Sequence, residues 1–97
     1  MELLTFEFAA APNKARLAHV GVVGSGDLEI LLSPSPDTRT HVAIRTSVTG
    51  FDATWKAVLE RFLQRFPDAA NIEINDFGAT PGTVALRLQQ AVEVSTS

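Results

Sequence analysis

The chain has 97 residues, 45% of them hydrophobic and 20% charged, with a formal net charge of −3 and no cysteine. A chain of this length suits one domain spanning residues 1–97, which buries roughly 60–65% of its unfolded surface, enough for one core and no deep internal cavity. The lack of cysteine excludes disulfides, thiolate chemistry and Cys-based zinc sites, and the acidic balance argues against a nucleic-acid binder, which shows a basic face.

Residues Met1 to Phe8 lack a basic segment and include Glu2 and Glu7, so they do not read as a secretion signal. No apolar run approaches the ~18 residues of a membrane span. The expectation is a cytoplasmic protein with no membrane and no nucleic-acid partner.

Leu4, Phe6 and Phe8 alternate with Thr5 and Glu7, the period of a half-buried strand. Ala9 to Lys14, with Pro12 and Asn13, reads as a loop. Leu17 to Val23 and Asp27 to Leu32 read as the second and third strands, and Gly24-Ser25-Gly26-Asp27 lies at their junction. Ser33 to Asp37 contains Pro34 and Pro36 and reads as a long turn, because proline has no N–H for a ladder. Arg39 to Val48 reads as a fourth strand, with Val42 and Ile44 on one face and His41, Ala43 and Arg45 on the other.

Asp52 is placed to cap a helix that runs to Phe66. Trp55, Val58, Leu59, Phe62, Leu63 and Phe66 form an apolar stripe at the helical period, opposite Lys56, Glu60, Arg61 and Arg65. Pro67 ends it. Ala70 to Asn75 reads as a fifth strand with Ile72 and Ile74 on one face. Thr80 ahead of Pro81 predicts a capped helix start, after which Val84, Leu88, Ala91 and Val92 share a face. Val84, Leu86 and Leu88 also alternate as a strand would, but the cap and the Leu-Arg-Leu-Gln-Gln-Ala composition favour helix. Ser95 to Ser97 reads as frayed. The order β-β-β-β-α-β-α predicts an α+β two-layer sandwich, a mainly antiparallel sheet of about five strands with two helices.

Chemistry has few candidates. His19 and His41 each fall in a predicted strand, and two histidines without cysteine make a poor metal set. Glycine can adopt the positive φ of tight hairpin turns, so Gly24 and Gly26 would leave Ser25 at a tip with its hydroxyl unscreened. No activating base is signalled, and G-S-G-D is not the G-x-S-x-G nucleophile elbow. Ser25 is therefore either turn punctuation or a hydroxyl presented to another molecule. Asp27 either closes the turn or takes part in recognition. Asp76-Phe77-Gly78 matches a kinase triplet, but the chain is too short and lacks the other kinase parts. The Trp55–Phe66 stripe reads as core, part of which could dock a partner. Asp76 to Gly82 reads as a capped connection whose N–H groups are alternatively placed to hold a phosphate.

Val20-Gly21-Val22-Val23-Gly24-Ser25-Gly26-Asp27-Leu28-Glu29, followed by Asp76-Phe77-Gly78-Ala79-Thr80-Pro81-Gly82 and Leu86-Arg87-Leu88, resembles the acyl carrier, or delta, subunit of malonate decarboxylases. The start Glu2 to Phe8 and the Trp55 helix fit too, so the resemblance covers essentially the whole chain. A more distant similarity is to the gamma, acyl-carrier subunit of citrate lyase, which also presents a serine before an aspartate. The resemblance implies that Ser25 carries phosphoribosyl-dephospho-coenzyme A (phosphoribosyl-dephospho-CoA) through a phosphodiester, with Gly24, Gly26 and Asp27 as the supporting turn. It implies a non-catalytic carrier whose partners are acyltransferase and decarboxylase subunits and a prosthetic-group transferase. The arm would carry acetyl, exchange it for malonyl, and return to acetyl when CO₂ is lost. Its thiol would be the cofactor's, and tethering would raise its effective concentration. A conventional acyl carrier protein, a four-helix bundle, does not fit a chain that opens with four strands. A citrate-lyase-type carrier and a non-carrier protein-interaction domain are the alternatives.

Overall fold

The computed structural model describes residues 2–11, 21–47 and 49–96. The elements follow the predicted order: β1 (Glu2–Ala9), β2 (Gly21–Ser25), β3 (Leu28–Pro34), β4 (Arg39–Thr46), α1 (Asp52–Arg65), β5 (Ala70–Asp76) and α2 (Pro81–Thr96). The strands form one sheet in the order β1-β4-β5-β3-β2. Three of its pairings are antiparallel, whereas β4 and β5 run parallel. A parallel pair needs a crossover, and α1 supplies it. This is the expected α+β two-layer sandwich.

The two-residue period of a strand decides which face is covered. Leu28, Ile30 and Leu32 of β3, Val42 and Ile44 of β4, and Ile72 and Ile74 of β5 are all buried. They form one cluster with Trp55, Leu59, Phe62 and Phe66 from the first helical region and Val84, Leu88 and Ala91 from α2. Burying each large aliphatic side chain contributes about 1.5–3 kcal/mol, so this layer contact is the main stabilising feature. Leu4, Phe6 and Phe8 share the same face but lie on edge strand β1 and are half-buried. Leu3, Thr5, Glu7, Glu29, Arg45 and Glu73 occupy the opposite face and are exposed. Two buried threonines tie β4 to β5 near either end: Thr40 Oγ1 accepts from the Ala70 N–H at 3.3 Å, and the Thr46 hydroxyl donates to Asp76 Oδ2 at 2.9 Å.

Several local expectations are corrected. The turn expected over Ser33 to Asp37 begins later, because β3 continues through Pro34, opposite Ala70. The Ser35 N–H donates to Ala69 O at 3.2 Å. Strand N–H groups alternate in direction, so position 34 points away from β5 and the missing donor costs that pair nothing. Asp52 is the first residue of α1 and not its cap. Phe51 holds the cap position with no side-chain cap bond, and Asp52 sits in the first turn, where the helix dipole favours an acid. Ser95 is fully buried, not frayed, and its hydroxyl donates to Ala91 O at 2.7 Å. The cause is close packing on β2: a Cβ at Gly21 would overlap Ser95 Oγ and come within 2.5 Å of Ala91 O. β4 ends at Thr46 and β5 extends to Asp76. The expected strand residues Leu17 to Val20, including His19, and the end of the fourth strand at Val48 lie outside the described residues. Among the described residues, no helix is long and apolar enough to cross a membrane.

Candidate functional site

The β2–β3 hairpin closes through two residues, Gly26 and Asp27, between the paired Ser25 and Leu28. Ser25 is thus the last ladder residue of β2, one step before the loop and not at its tip. Gly26 has no left-handed φ; positive φ occurs at Gly50 (84°) and Gly78 (118°). The expectation that the glycines around Ser25 are there for positive φ is corrected at this loop. Packing among the described residues does not demand them either: there, a Cβ at Gly26 would meet nothing within 4 Å, and one at Gly24 would only touch Glu29 Cγ at 4.0 Å. β2 is an edge of the described sheet, and Val22, Gly24, Gly26 and Asp27 are exposed.

The opposite side of the hairpin is held firmly. The register sets Glu2, Thr46, Asp76, Leu28 and Ser25 in one row across the end of the sheet. Asp76 is the hub of that row and is 4% exposed. Its Oδ1 accepts from the N–H groups of Gly78 (3.1 Å) and Ala79 (2.8 Å), and its Oδ2 accepts from the Thr46 hydroxyl. These bonds fold the segment after β5 back on itself, with Gly78 in the left-handed region that a side chain would disfavour. The Phe77 N–H then donates to Asp27 O at 2.9 Å. The two motifs, fifty residues apart in sequence, therefore meet through a backbone hydrogen bond. Beside it, Asn75 Nδ2 donates to Glu29 Oε1 at 3.1 Å.

The start of α2 forms as expected. Pro81 opens the helix, and Thr80 Oγ1 accepts from the Thr83 N–H at 3.3 Å. The N–H groups of Phe77, Gly78, Ala79, Thr83 and Val84, in the Asp76–Gly82 connection and the first helical turn, are thus engaged within the chain.

His41 lies elsewhere. It is five residues along β4 from Thr46, about 17 Å at strand spacing, so it cannot reach the Ser25 row. Its Nε2 lies 3.0 Å from Asp37 Oδ2. The Ser35 hydroxyl donates to Asp37 Oδ1 at 2.9 Å, and the Arg39 N–H donates to the same oxygen at 2.8 Å. The His41 bond, then those from Arg39 and Ser35, holds the Asp37 carboxyl down at about 2. Ser35, His41 and Asp37 have the composition of a hydrolytic triad without its wiring. Both partners bind the carboxylate, whereas a nucleophile needs its hydroxyl on the histidine.

The chain is a small α+β domain with Ser25 set between two exposed glycines on a hairpin braced from behind. Comparison with known proteins shows its family. Residues 15–95 match the family described as malonate decarboxylase delta subunit (MdcD). The chain is 51% identical over 94 residues to the malonate decarboxylase acyl carrier protein of Azotobacter vinelandii, covering 96% of this chain and 95% of the relative. It is 52% identical over 95 residues to that of Pseudomonas fluorescens strain SBW25, with the same coverage. It superposes with a TM-score of 0.81 and 42% identity on a chain of a Pseudomonas malonate decarboxylase hetero-tetramer crystallised with malonate, covering 96% of this chain and 97% of that one. The chain belongs to the malonate decarboxylase delta subunit family.

Proposed function

We propose that this chain is the non-catalytic acyl carrier subunit of a malonate decarboxylase, with phosphoribosyl-dephospho-CoA joined to Ser25 through a phosphodiester. The observation that carries the reading is the open hairpin end. Gly24 and Gly26 flank Ser25, and among the described residues neither packing nor backbone conformation asks for them. Their use is accounted for if a bulky group and the enzyme that installs it occupy that space. In-line approach of a phosphorus centre to a hydroxyl needs clearance on both sides, which small neighbours leave. The residues present fit the group.

The rest of the site keeps position. Asp76 fixes residues 77–79, Phe77 fixes Asp27, and the ladder partner Leu28 is fully buried. A rigid base makes the attachment point a defined origin, so motion belongs to the arm. Joined to Ser25, the group would supply a thiol able to carry acetyl and malonyl as thioesters. The chain supplies position, which converts encounters between subunits into intramolecular ones. The acyltransferase and decarboxylase subunits are its partners in the assembled complex, and a prosthetic-group transferase is its modifying enzyme. The relatives at about half identity are malonate decarboxylase carriers, which favours this reading over a citrate-lyase-type carrier.

Intact-mass analysis of the protein from its native host, with malonate decarboxylation by the assembled complex, tests the reading. The expected result is a mass increase equal to the group and CO₂ release from malonate, both lost in Ser25→Ala. A chain that supports decarboxylation at its unmodified mass would overturn it.

A further inference from the structure

Between the first turns of α1 and α2, over the ends of β4 and β5, lies a cavity of about 180 Å³. Its walls include Thr46, Phe51, Trp55, Val58, Asp76 and Val84. We propose that this cavity receives the acetyl thioester end of the arm carried on Ser25 and rejects the malonyl form; the inference rests on the function proposed above.

Position comes first. Thr46 and Asp76, in the cavity wall, stand in the same transverse row as Ser25. Asp76 is two strands from Ser25, about 10 Å at the usual strand separation. An arm as long as a nucleotide joined to pantetheine spans that distance and can turn back. Size agrees, since an apolar protein cavity of about 150 Å³ takes up benzene, and an acetyl group with its sulfur is smaller. Phe51, 49% exposed, stands in the wall as a large apolar side chain that the fold does not cover. A lodged methyl group would remove apolar surface from water there.

Charge decides which acyl group enters. Among the described residues, no lysine, arginine or histidine lines the cavity. Each helix start presents about half a positive charge, but acids already oppose both: Asp52 in the first turn of α1 and Asp76 before α2. The Asp76 oxygens are already hydrogen-bonded within the chain. A malonyl carboxylate would lose its water and gain no cation, which is strongly unfavourable. An acetyl group carries no such cost. The cavity thus sorts the two states of the arm: the acetyl end is shielded, and the malonyl end stays out for the next subunit.

Trp55 is the single tryptophan of the chain and is 7% exposed in the cavity wall, which makes it an internal reporter. The test uses the full-length carrier with its group on Ser25 verified by mass, in the thiol, acetyl and malonyl forms, with ¹³C-labelled acyl groups. The expected result is nuclear Overhauser contacts from the acetyl methyl to the Trp55 ring and the Val84 methyls, with a change in Trp55 emission on acetylation. The malonyl form should show neither. Val58→Phe, which fills the cavity, should remove the acetyl contacts and leave loading at Ser25 unchanged. A loaded, acetylated wild-type chain without those contacts, or a malonyl form that shares them, overturns this proposal alone. A chain with no group on Ser25 overturns it together with the reading it rests on.

Discussion

Asp76 shows how much one side chain can organise. It is almost fully buried and accepts three hydrogen bonds, two from the backbone just after it and one from Thr46 thirty residues earlier. Removing the carboxylate takes the acceptor from all three bonds, and a hydrogen bond to a charged group contributes about 1.5–3 kcal/mol. Asp76→Ala should therefore lose about 3 kcal/mol in chemical denaturation, and the Phe77 amide should exchange faster because its approach to Asp27 is no longer braced. Asp37 does different work at the other end of the sheet. Its carboxyl is pulled from 3.8 to about 2, first by His41 and then by Arg39 and Ser35. The folded chain holds that proton less tightly than the unfolded one, so the contribution to stability is full above pH 3.8 and is lost as pH falls through about 2. A carboxyl-detected NMR titration should find the midpoint at about 2, and His41→Ala should move it back toward 3.8.

Among the elements, the two ends of β2 use glycine for opposite reasons. At Gly21 the last turn of α2 lies so close that no Cβ fits against Ser95 and Ala91. Gly21→Val should destabilise by about 1–3 kcal/mol, as overpacking does. At Gly26 no described residue would lie within 4 Å of a Cβ and the backbone is not left-handed, so Gly26→Ala should stay within about 1 kcal/mol of wild type and yet slow loading of Ser25. Denaturation curves and loading rates on the same two variants separate a packing glycine from a functional one.

The elements were largely legible because their periods are strong. Leu4-Phe6-Phe8, Val42-Ile44 and Ile72-Ile74 alternate cleanly, Trp55-Leu59-Phe62 keeps the helical period, and Thr80-Pro81 marks a helix start. What escaped was set by tertiary contact. Pro34 remains in β3 because its missing N–H points away from β5, and Ser95 is ordered because β2 has a glycine opposite it. The crossed strand order, with β5 inserted between β4 and β3, had no local signal at all.

At the scale of the molecule, one transverse row joins features that sequence lists far apart. Ser25, Leu28, Asp76 and Thr46 come from four strands and meet at one end of the sheet. Both motifs were visible as residue patterns and by resemblance, but their contact was not, since a backbone bond from Phe77 to Asp27 leaves no mark on side-chain choice. The cavity between the helix starts was equally hidden, because its walls are drawn from strands and helices that the fold alone assembles. The attachment proposed at Ser25 would make this end of the sheet the working end, with His41 and Asp37 remote from it.

The most direct check is fragment mapping of the protein taken from its native host. A tryptic peptide spanning Leu17 to Arg39 contains Ser25, Ser33 and Ser35, and fragmentation between them assigns any added group. The expected result is the mass of phosphoribosyl-dephospho-CoA on Ser25 and none on Ser33 or Ser35. The same mass on Ser33 or Ser35, or an unmodified peptide from a complex that decarboxylates malonate, would contradict it.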